Sequence, residues 1–571
     1  MRSTFYGLEV ARSGLYTAQS ELNITGHNVS NVDTVGYTRQ RLDTAAKVVA
    51  KSVTQYALDN RFTTGQGSEA LKVGQIRDLF LDKTYREENS QTSYWDTCET
   101  QFYSVEQIFN SVLEDKDSSA SIYNALEDFG IALNNVSKNV SSKDIRTTLV
   151  EAGIQLTESF NYVYGKLAEQ HSNINTNIST VVDQINDTAA YIAELNEQIF
   201  GYEMTGAQAN DLRDKRNNAL DELSGMVGIE YYEDLKGQMV VTLGGRELVG
   251  GAESNKIVVN PMGTDNKLDL LSNEPVIGRQ YTVTWADMFG KPSILLKDQI
   301  KPEGGQLEAY FDMRDGDNED NVGIPYVVEQ LNELARKIAQ EVNSIHASGY
   351  TLPFTLSDNL SGGENVMYHR MNADGTPAVN ADGLFIMERG VQPLQAADGT
   401  WYYPSVQGVD FFASGNYADY SQVNARNFSL SDAVLDSTHF IAGSSEQVLS
   451  PDEKYDDVNQ LMGNNSKINE IIDLFNRKDE LGLPNNFASS LTTLVTSVAT
   501  AEKHYINMNV AQTSRQDAVA LQRQSVSGVS LDDEMTDMVR YTHAYNAAAR
   551  ILTAIDDELD TLINKMGTVG R

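Results

Sequence analysis

LDDEMTDMVRYTHAYNAAARILTAIDDELDTLINKM, residues 531–566, is the stretch whose spacing decides the fold. Read in sevens, Met538, Tyr545, Leu552, Leu559 and Met566 fall on one line. Tyr541, Ala548, Ile555 and Leu562 fall on a second line, three residues further on. Both lines are apolar throughout, which is the pattern of a helix that lies along a helical partner. Ser530 ahead of Leu531-Asp532-Asp533-Glu534 reads as a capped start, with acids in the positive first turn. Gly567 marks the stop. A helix over 531–566 is roughly 54 Å long at 1.5 Å per residue.

The other end of the chain carries a shorter version of the same stripe. Leu8, Leu15, Leu22 and Val29 are spaced by seven, and Ala11 and Ala18 follow the first two by three. This predicts a helix over about residues 4–28. A third stripe runs through Phe160, Tyr164, Leu167, His171, Ile174, Ile178, Val181, Ile185, Thr188, Ile192, Leu195 and Ile199, broken only by His171 and Thr188. It predicts a long coiled-coil helix, although a helical bundle gives the same pattern. Shorter helical patterns cover 90–114, 208–225, 325–347 and 484–526. Between them, 229–311 and 350–440 hold β-branched runs punctuated by Gly244-Gly245 and Gly250-Gly251, and read as β-rich inserts. The expected class is therefore α+β and multidomain: long terminal coiled-coil helices and a helical rod with β-rich insertions. The simplest packing brings the two ends together, lays the helical rods side by side and projects the β modules at the far end.

Composition narrows the function. The chain has 571 residues, room for about three to four domains. Its net charge of −36 disfavours nucleic acid and anionic membrane surfaces as partners. No apolar run is long enough to span a bilayer. Proline is scarce, 11 in all, which permits long uninterrupted helices. Cys98 is the one cysteine, so neither an internal disulfide nor a multi-cysteine zinc site can form. Glu9 and Arg12 interrupt the place where a secretory apolar stretch would sit.

Chemistry was sought and not found. The histidines at 27, 171, 346, 369, 439, 504 and 543 show no metal-ligand spacing, and there is no H-E-x-x-H. The acidic run from Asp315 to Asp320 fails as a calcium loop, with Asp320 at the glycine place and Tyr326 at the bidentate-acid place. Gly290-Lys291 lacks a phosphate loop's upstream glycine. Cys98 sits on an apolar face and reads as core, and Trp95, Trp285 and Trp401 read as packing residues. No catalytic residue, metal site or cofactor is expected.

Asn28-Val29-Ser30-Asn31-Val32-Asp33-Thr34-Val35-Gly36-Tyr37 resembles the N-terminal signature of the bacterial flagellar axial proteins of rod, hook and junction, a helix ending in an Asn-rich turn and a Gly-aromatic pair. Ser13-Gly14-Leu15 also fits. Ser527-Gly528-Val529-Ser530-Leu531-Asp532-Asp533-Glu534-Met535 resembles the matching C-terminal signature, which Tyr541 to Ala549 and Ile555 to Leu559 continue. Ala193 to Ile199, Asn210 to Arg216, Leu220 to Ser224, Gly305-Gln306-Leu307, Asn343 to Tyr350 and Gln522 to Val529 favour the hook–filament junction branch over hook or distal rod proteins.

The resemblance implies a structural, non-enzymatic subunit of the extracellular flagellum, exported by the flagellar type III route without a cleaved signal. Its implied partners are the hook protein on one side, a second junction or filament protein on the other, sister subunits in a helical tube, and an export chaperone on the C-terminal helix. The expected assembly surface comprises Leu8, Leu15, Leu22, Asn28, Val29, Asn31, Gly36 and Tyr37 with Leu531, Met538, Tyr541, Tyr545, Ala548, Leu552, Ile555, Leu559, Leu562 and Met566. Both ends are expected to stay largely disordered in the free subunit, each stripe uncovered until sister molecules cover it. The implied division is an N-terminal assembly segment (1–60), a rod in pieces (61–228, 312–349 and 441–528), β-rich inserts (229–311 and 350–440) and a C-terminal assembly helix (529–571). A reading of another class, an enzyme or adhesin module in 350–440, would need clustered ionisable groups, and the sequence shows only dispersed ones.

Overall fold

In the computed structural model one helix organises the rest. The structure describes residues 6–47, 65, 67–113, 121–204, 206–260, 281–287, 289–292, 300–319, 321–355, 366–373, 375–395, 401–415, 418–447, 463–478, 486–561 and 563. In chain order the leading elements are α1 (Tyr6–Ser30), β1 (Gln40–Ala46), β2 (Ser68–Gln75), α2 (Leu79–Leu113), α3 (Ile122–Lys138), α4 (Lys143–Glu203) and α5 (Asn210–Met226). The sheet strands β3 (Glu230–Glu233), β4 (Met239–Leu243), β5 (Arg246–Gly250), β6 (Glu253–Ser254), β7 (Ile257–Asn260) and β8 (Thr282–Trp285) follow. Then come α6 (Gly305–Asp315) and α7 (Ile324–His346), and five very short strands: β9 (Phe354–Thr355), β10 (Met367–His369), β11 (Met387–Arg389), β12 (Leu394–Gln395) and β13 (Trp401–Tyr403). The chain closes with α8 (Ser466–Phe475), α9 (Phe487–Ser527) and α10 (Leu531–Asp560).

The spine is α4, 61 residues and roughly 90 Å long. Phe160, Leu167, Ile174, Ile178, Ile185, Ile192 and Ile199 on its seam are all fully buried. The coiled-coil reading of this stripe is corrected, because α4 has no single helical mate. It is flanked by α2, α3, α5, α6 and α7. Val163, Val182, Ala189 and Ala193 explain this, since they widen the apolar stripe beyond the two lines a coiled coil needs. Thr188 is only half-buried, and Ala189 beside it turns inward instead. His171 is fully buried, and among the described residues neither ring nitrogen has a well-formed hydrogen-bond partner. Burial, then the nearby Arg314 charge, push it down to about 4, so it stays neutral.

Helices α2 and α9 lie against each other along most of their length. Phe102 meets Tyr505 with ring centroids 5.3 Å apart, and Gln516 donates to Asn89 Oδ1 at 2.7 Å. At the far end α3, not singled out from sequence, starts on Ser121, whose side chain caps Asn124 N. It buries Ile122, Leu126, Phe129, Leu133 and Val136, and Phe129 stacks among Phe411, Phe412 and Phe475.

Strands β3 to β6 form an antiparallel sheet in sequence order, and β7 pairs with β8. Two asparagines weld these sheets to α4. Asn196 donates to the carbonyls of Met239 and Gly251 and accepts from Met239 N; Asn186 does the same to and from Ile257. Val241, Leu243, Leu248 and Val249 therefore join the rod's own core, so this insert does not project at the far end. The β character expected up to 311 also ends early, since Gly305–Asp315 is helical and buries Leu307 and Met313. Over 350–440 the strands are two or three residues long. What holds that region is Phe411, Phe412 and Phe428 packed inward, and Asn343, which accepts from Phe411 N and Phe412 N and donates to Phe412 O. Cys98 is buried as expected, and burial pushes its thiol far up. Trp95 and Trp285 pack, but Trp401 is 49% exposed, against expectation.

His346 pins that aromatic region to α7. Its Nδ1 donates to Val409 O at 2.7 Å, and its Nε2 accepts from Ala442 N at 2.8 Å, which requires the neutral ring. Burial pushes it down to about 4. A group lowered in the folded state contributes fully above the ordinary imidazole value of about 6.5, and the contribution is lost as pH falls through the folded value. Urea titrations should show stability falling between about pH 6.5 and 4. His346→Leu should be less stable at pH 7 and should lack this part of the slope; an unchanged slope would contradict the assignment.

Candidate functional site: the paired terminal helices and their polar joint

The ends meet as expected, and they do so antiparallel. A Cβ built on Gly14 of α1 would lie 3.8 Å from the Cβ of Ala548 on α10, and one on Gly7 would lie 3.1 Å from Ile555 Cδ1. Glu21 faces Asp537 and Arg540, and burial raises its carboxyl above the usual range although Arg540 opposes the shift. Asn28 donates to Glu534 Oε2 at 3.1 Å. A step of seven along α1 thus matches a step of seven along α10.

On α10 Ala548 and Ile555 of the expected stripe face α1, but on α1 the facing line is Gly7, Gly14, Glu21 and Asn28, one residue before the expected Leu8, Leu15, Leu22 and Val29. Leu8, Leu15, Leu22 and Val29 are half-buried, while Ala11, Ala18 and Thr25 are buried between the helices. On α10, Ala548 is buried, and Met538, Tyr541, Tyr545, Leu552, Ile555 and Leu559 are half-buried. Leu531 is 48% exposed, and Leu562 and Met566 lie outside the described residues. The expectation that each stripe waits uncovered for sister molecules is therefore corrected, because the stripes cover each other within the chain. What stays bare on α10 includes Met535, Val539 and Ile551, each more than half exposed, and Ile563 just past its end. The antiparallel ribbon of β1 and β2 lies beside α1, with Ser68 Oγ 3.0 Å from Thr17 Oγ1.

The Asn-rich turn after α1 joins this arm to the rod. Asn28, buried, accepts from Gln40 N at 3.0 Å and from the Tyr37 hydroxyl at 2.8 Å. Asn31 donates to His27 O and accepts from Thr34 Oγ1. Gly36 has φ +75°, and any Cβ there would fall 2.0 Å from the Asn218 side-chain amide, so both backbone and space demand glycine. The Tyr37 phenol is pushed far up by burial and by Asp211, Asp214 and Glu534. Arg39 Nε donates to Glu534 Oε1 at 2.6 Å, and Arg39 N donates to Ser527 O at 2.9 Å.

On the rod side the turn is met by the first turns of α5. Asp214 accepts from Thr38 N, Thr38 Oγ1 and Gln75 Nε2, and Gln40 Nε2 donates to Asp211 Oδ1 at 3.0 Å. Burial raises Asp214 above the usual carboxylate range, against those hydrogen bonds and the Arg77 charge. Arg77 grips Asp82, which also accepts from Arg523 at 2.8 Å; Arg523 reaches on to Asp221, as does Arg86. Burial alone would raise Asp82, but the Arg77 hydrogen bond and the charges of Arg77, Arg523 and Arg86 outweigh it and hold the carboxyl below the usual range. These contacts run without a break from α10 through α1 to α5, α2 and α9. In the sequence Asp211 and Asp214 carry no visible role and Glu534 reads as a first-turn acid, while Arg39, Gln40 and Arg77 carry no signal at all. Glu534 had a readable signal: it lies seven before Tyr541, so an acid stands on the apolar line.

Among the described residues no group of histidine, cysteine or carboxylate side chains could hold a metal ion. The arrangement can align and join helices.

Comparisons with known proteins agree with this anatomy. Residues 8–38 match the family described as flagella basal body rod protein. Residues 522–565 match the C-terminal family of flagellar basal body rod FlgEFG proteins. These two matches cover the two helices of the arm, and both are to flagellar axial-protein families. Residues 106–360 match the helical domain of flagellar hook-associated protein FlgK. The chain is 28% identical to flagellar hook-associated protein 1 of Bacillus subtilis, over all of both chains. It is 27% identical to that of Salmonella typhimurium, over 97% of this chain and 98% of the relative. A solved structure of the flagellar hook junction protein FlgK from Burkholderia pseudomallei shares the fold with TM-score 0.51 at 16% identity, covering 77% of this chain and 100% of that one. Among flagellar proteins the chain is thus similar over its whole length to hook-associated protein 1.

Gly36→Ala should destabilise the joint by about 1–3 kcal/mol through its backbone strain alone, and the clash with Asn218 adds to that. Denaturant titration of Gly36→Ala with and without Asn218→Ala checks this: the second change should recover part of the loss. Full recovery would show that the left-handed backbone carries no cost.

Proposed function

We propose that this protein is a structural subunit that joins the flagellar hook to the filament. The observation that carries the reading is the double match of α1 and α10 to axial-protein termini, on a chain similar from end to end to hook-associated protein 1. The FlgK helical-domain match and the 61-residue α4 favour the junction over a hook or distal rod protein.

Assembly is read from the arm. Its bare face would pack on sister subunits, hook protein and the next junction or filament protein. Each apolar side chain covered there would contribute about 1.5–3 kcal/mol. The contacts are head-to-tail along a helix, and do not close into a dimer. A chaperone would cover the same face of α10 before export by the flagellar type III route, in the manner of a helix lying in a groove. Residues 1–60 and 529–571 would then be the axial segments, with 61–228, 312–349 and 441–528 as the rod and 229–311 and 350–440 as inserts. No enzymatic role is part of this reading.

Cells producing the chain without residues 535–571 should build hooks and release filament protein as monomer into the medium. Electron microscopy and assay of the medium check this. Normal attached filaments would sink the junction reading.

A further inference from the structure

An apolar stripe repeating in sevens does not by itself choose one alignment. If α10 moved by seven residues against α1, Ala548 would face Gly7, Tyr541 would face Gly14, and the apolar stripes would still meet. Glycine at both positions accepts either neighbour on α10. The layer that cannot be shifted is the polar one. Glu534 is 1% exposed and Asn28 is 1% exposed, and each satisfies the other. The second Glu534 oxygen is held by Arg39 at 2.6 Å, from the loop that trails α1, and Arg39 also reaches Asp537 at 3.4 Å. A seven-residue shift in one direction brings Glu534 to Glu21, acid against acid. In the other it carries Glu534 past Asn28 and leaves a buried carboxylate without its donors.

We infer that Glu534, with Asn28 and Arg39, sets the alignment of the terminal helix pair and rejects alignments displaced by seven residues. The reason is general: a buried polar layer in an apolar helix pair specifies register because only one alignment satisfies it. Arg39 adds direction, since its backbone N–H is bonded to Ser527 O, at the entrance to α10. Helix α10 therefore reads both a stripe and the turn that ends it. In a tube crowded with sister stripes of the same period, that turn is the feature a displaced stripe does not offer.

Disulfide trapping in the purified full-length chain tests this, in a Cys98→Ala background so that no other thiol competes. Gly14→Cys with Ala548→Cys probes the observed alignment, whose 3.8 Å Cβ separation suits a disulfide. Gly7→Cys with Ala548→Cys probes the displaced one. The parent should form the 14–548 bond at least about tenfold in preference to the 7–548 bond. Adding the apolar pair Asn28→Leu and Glu534→Leu should raise the 7–548 bond to parity, within one chain or between two, while circular dichroism shows the helices retained. Glu534→Gln, which keeps one acceptor oxygen and sets an NH2 against the other donor, should lower the parent preference without bringing it to parity. The inference is overturned if the leucine pair keeps the tenfold preference. It is also overturned if both bonds are lost with the helices, because the layer would then hold the pair together without choosing its alignment. The assay uses no flagellum, so its failure leaves the junction reading untouched.

Discussion

A carboxylate shut between two helices has to be answered by donors, and at Glu534 the answer comes from two places in the chain at once. Asn28 brings α1, Arg39 brings the turn that follows, and that turn is in turn held by Asp211 and Asp214 of α5. Removing one member leaves a buried charge or amide without partners, which costs more than the net worth of the pair. The terminal arm and the rod are joined through this polar joint. The apolar stripes give the arm its affinity, and the joint gives it direction.

That division of labour explains what could be read from sequence. Apolar period is a long-range repeated signal, so α1, α7, α9 and α10 are legible within a few residues at their ends, while α4 is legible from Phe160 on although it starts at Lys143. Helix α3 was missed only because its short stripe was not counted. The nature of a helix's neighbours was less legible. The α4 stripe keeps strict sevens, yet Val163, Val182 and Ala189 beside it bury a second flank. The seven-residue period says that one face is covered; the width of the face says how many elements cover it. Trp401 differs as well: it opens the three-residue middle strand of a small sheet and stays largely exposed, while Tyr402 and Tyr403 after it are buried.

The joint was half legible. Asn28, Asn31, Gly36 and Tyr37 stood out because turn chemistry is local: an amide that satisfies its own neighbours, a glycine at positive φ, an aromatic hydroxyl closing the turn. Asp211 and Asp214 lie between 137 and 176 positions from the groups they bind, and Arg77, though five from Asp82, lies 39 from Thr38; no spacing rule links these distant pairs. Among so many acidic residues only one that interrupts an apolar line can be told from the solvated rest, and Glu534 is such a residue.

The central claim is that the two chain ends owe their order to each other and to the joint, and not to their own helix propensity. Hydrogen exchange of the purified chain, resolved to α1 and compared with and without residues 535–571, tests it most directly. The account predicts that α1 amides exchange much faster once α10 is gone, while the buried centre of α4 stays as protected as before. Equal protection of α1 in both proteins would contradict it.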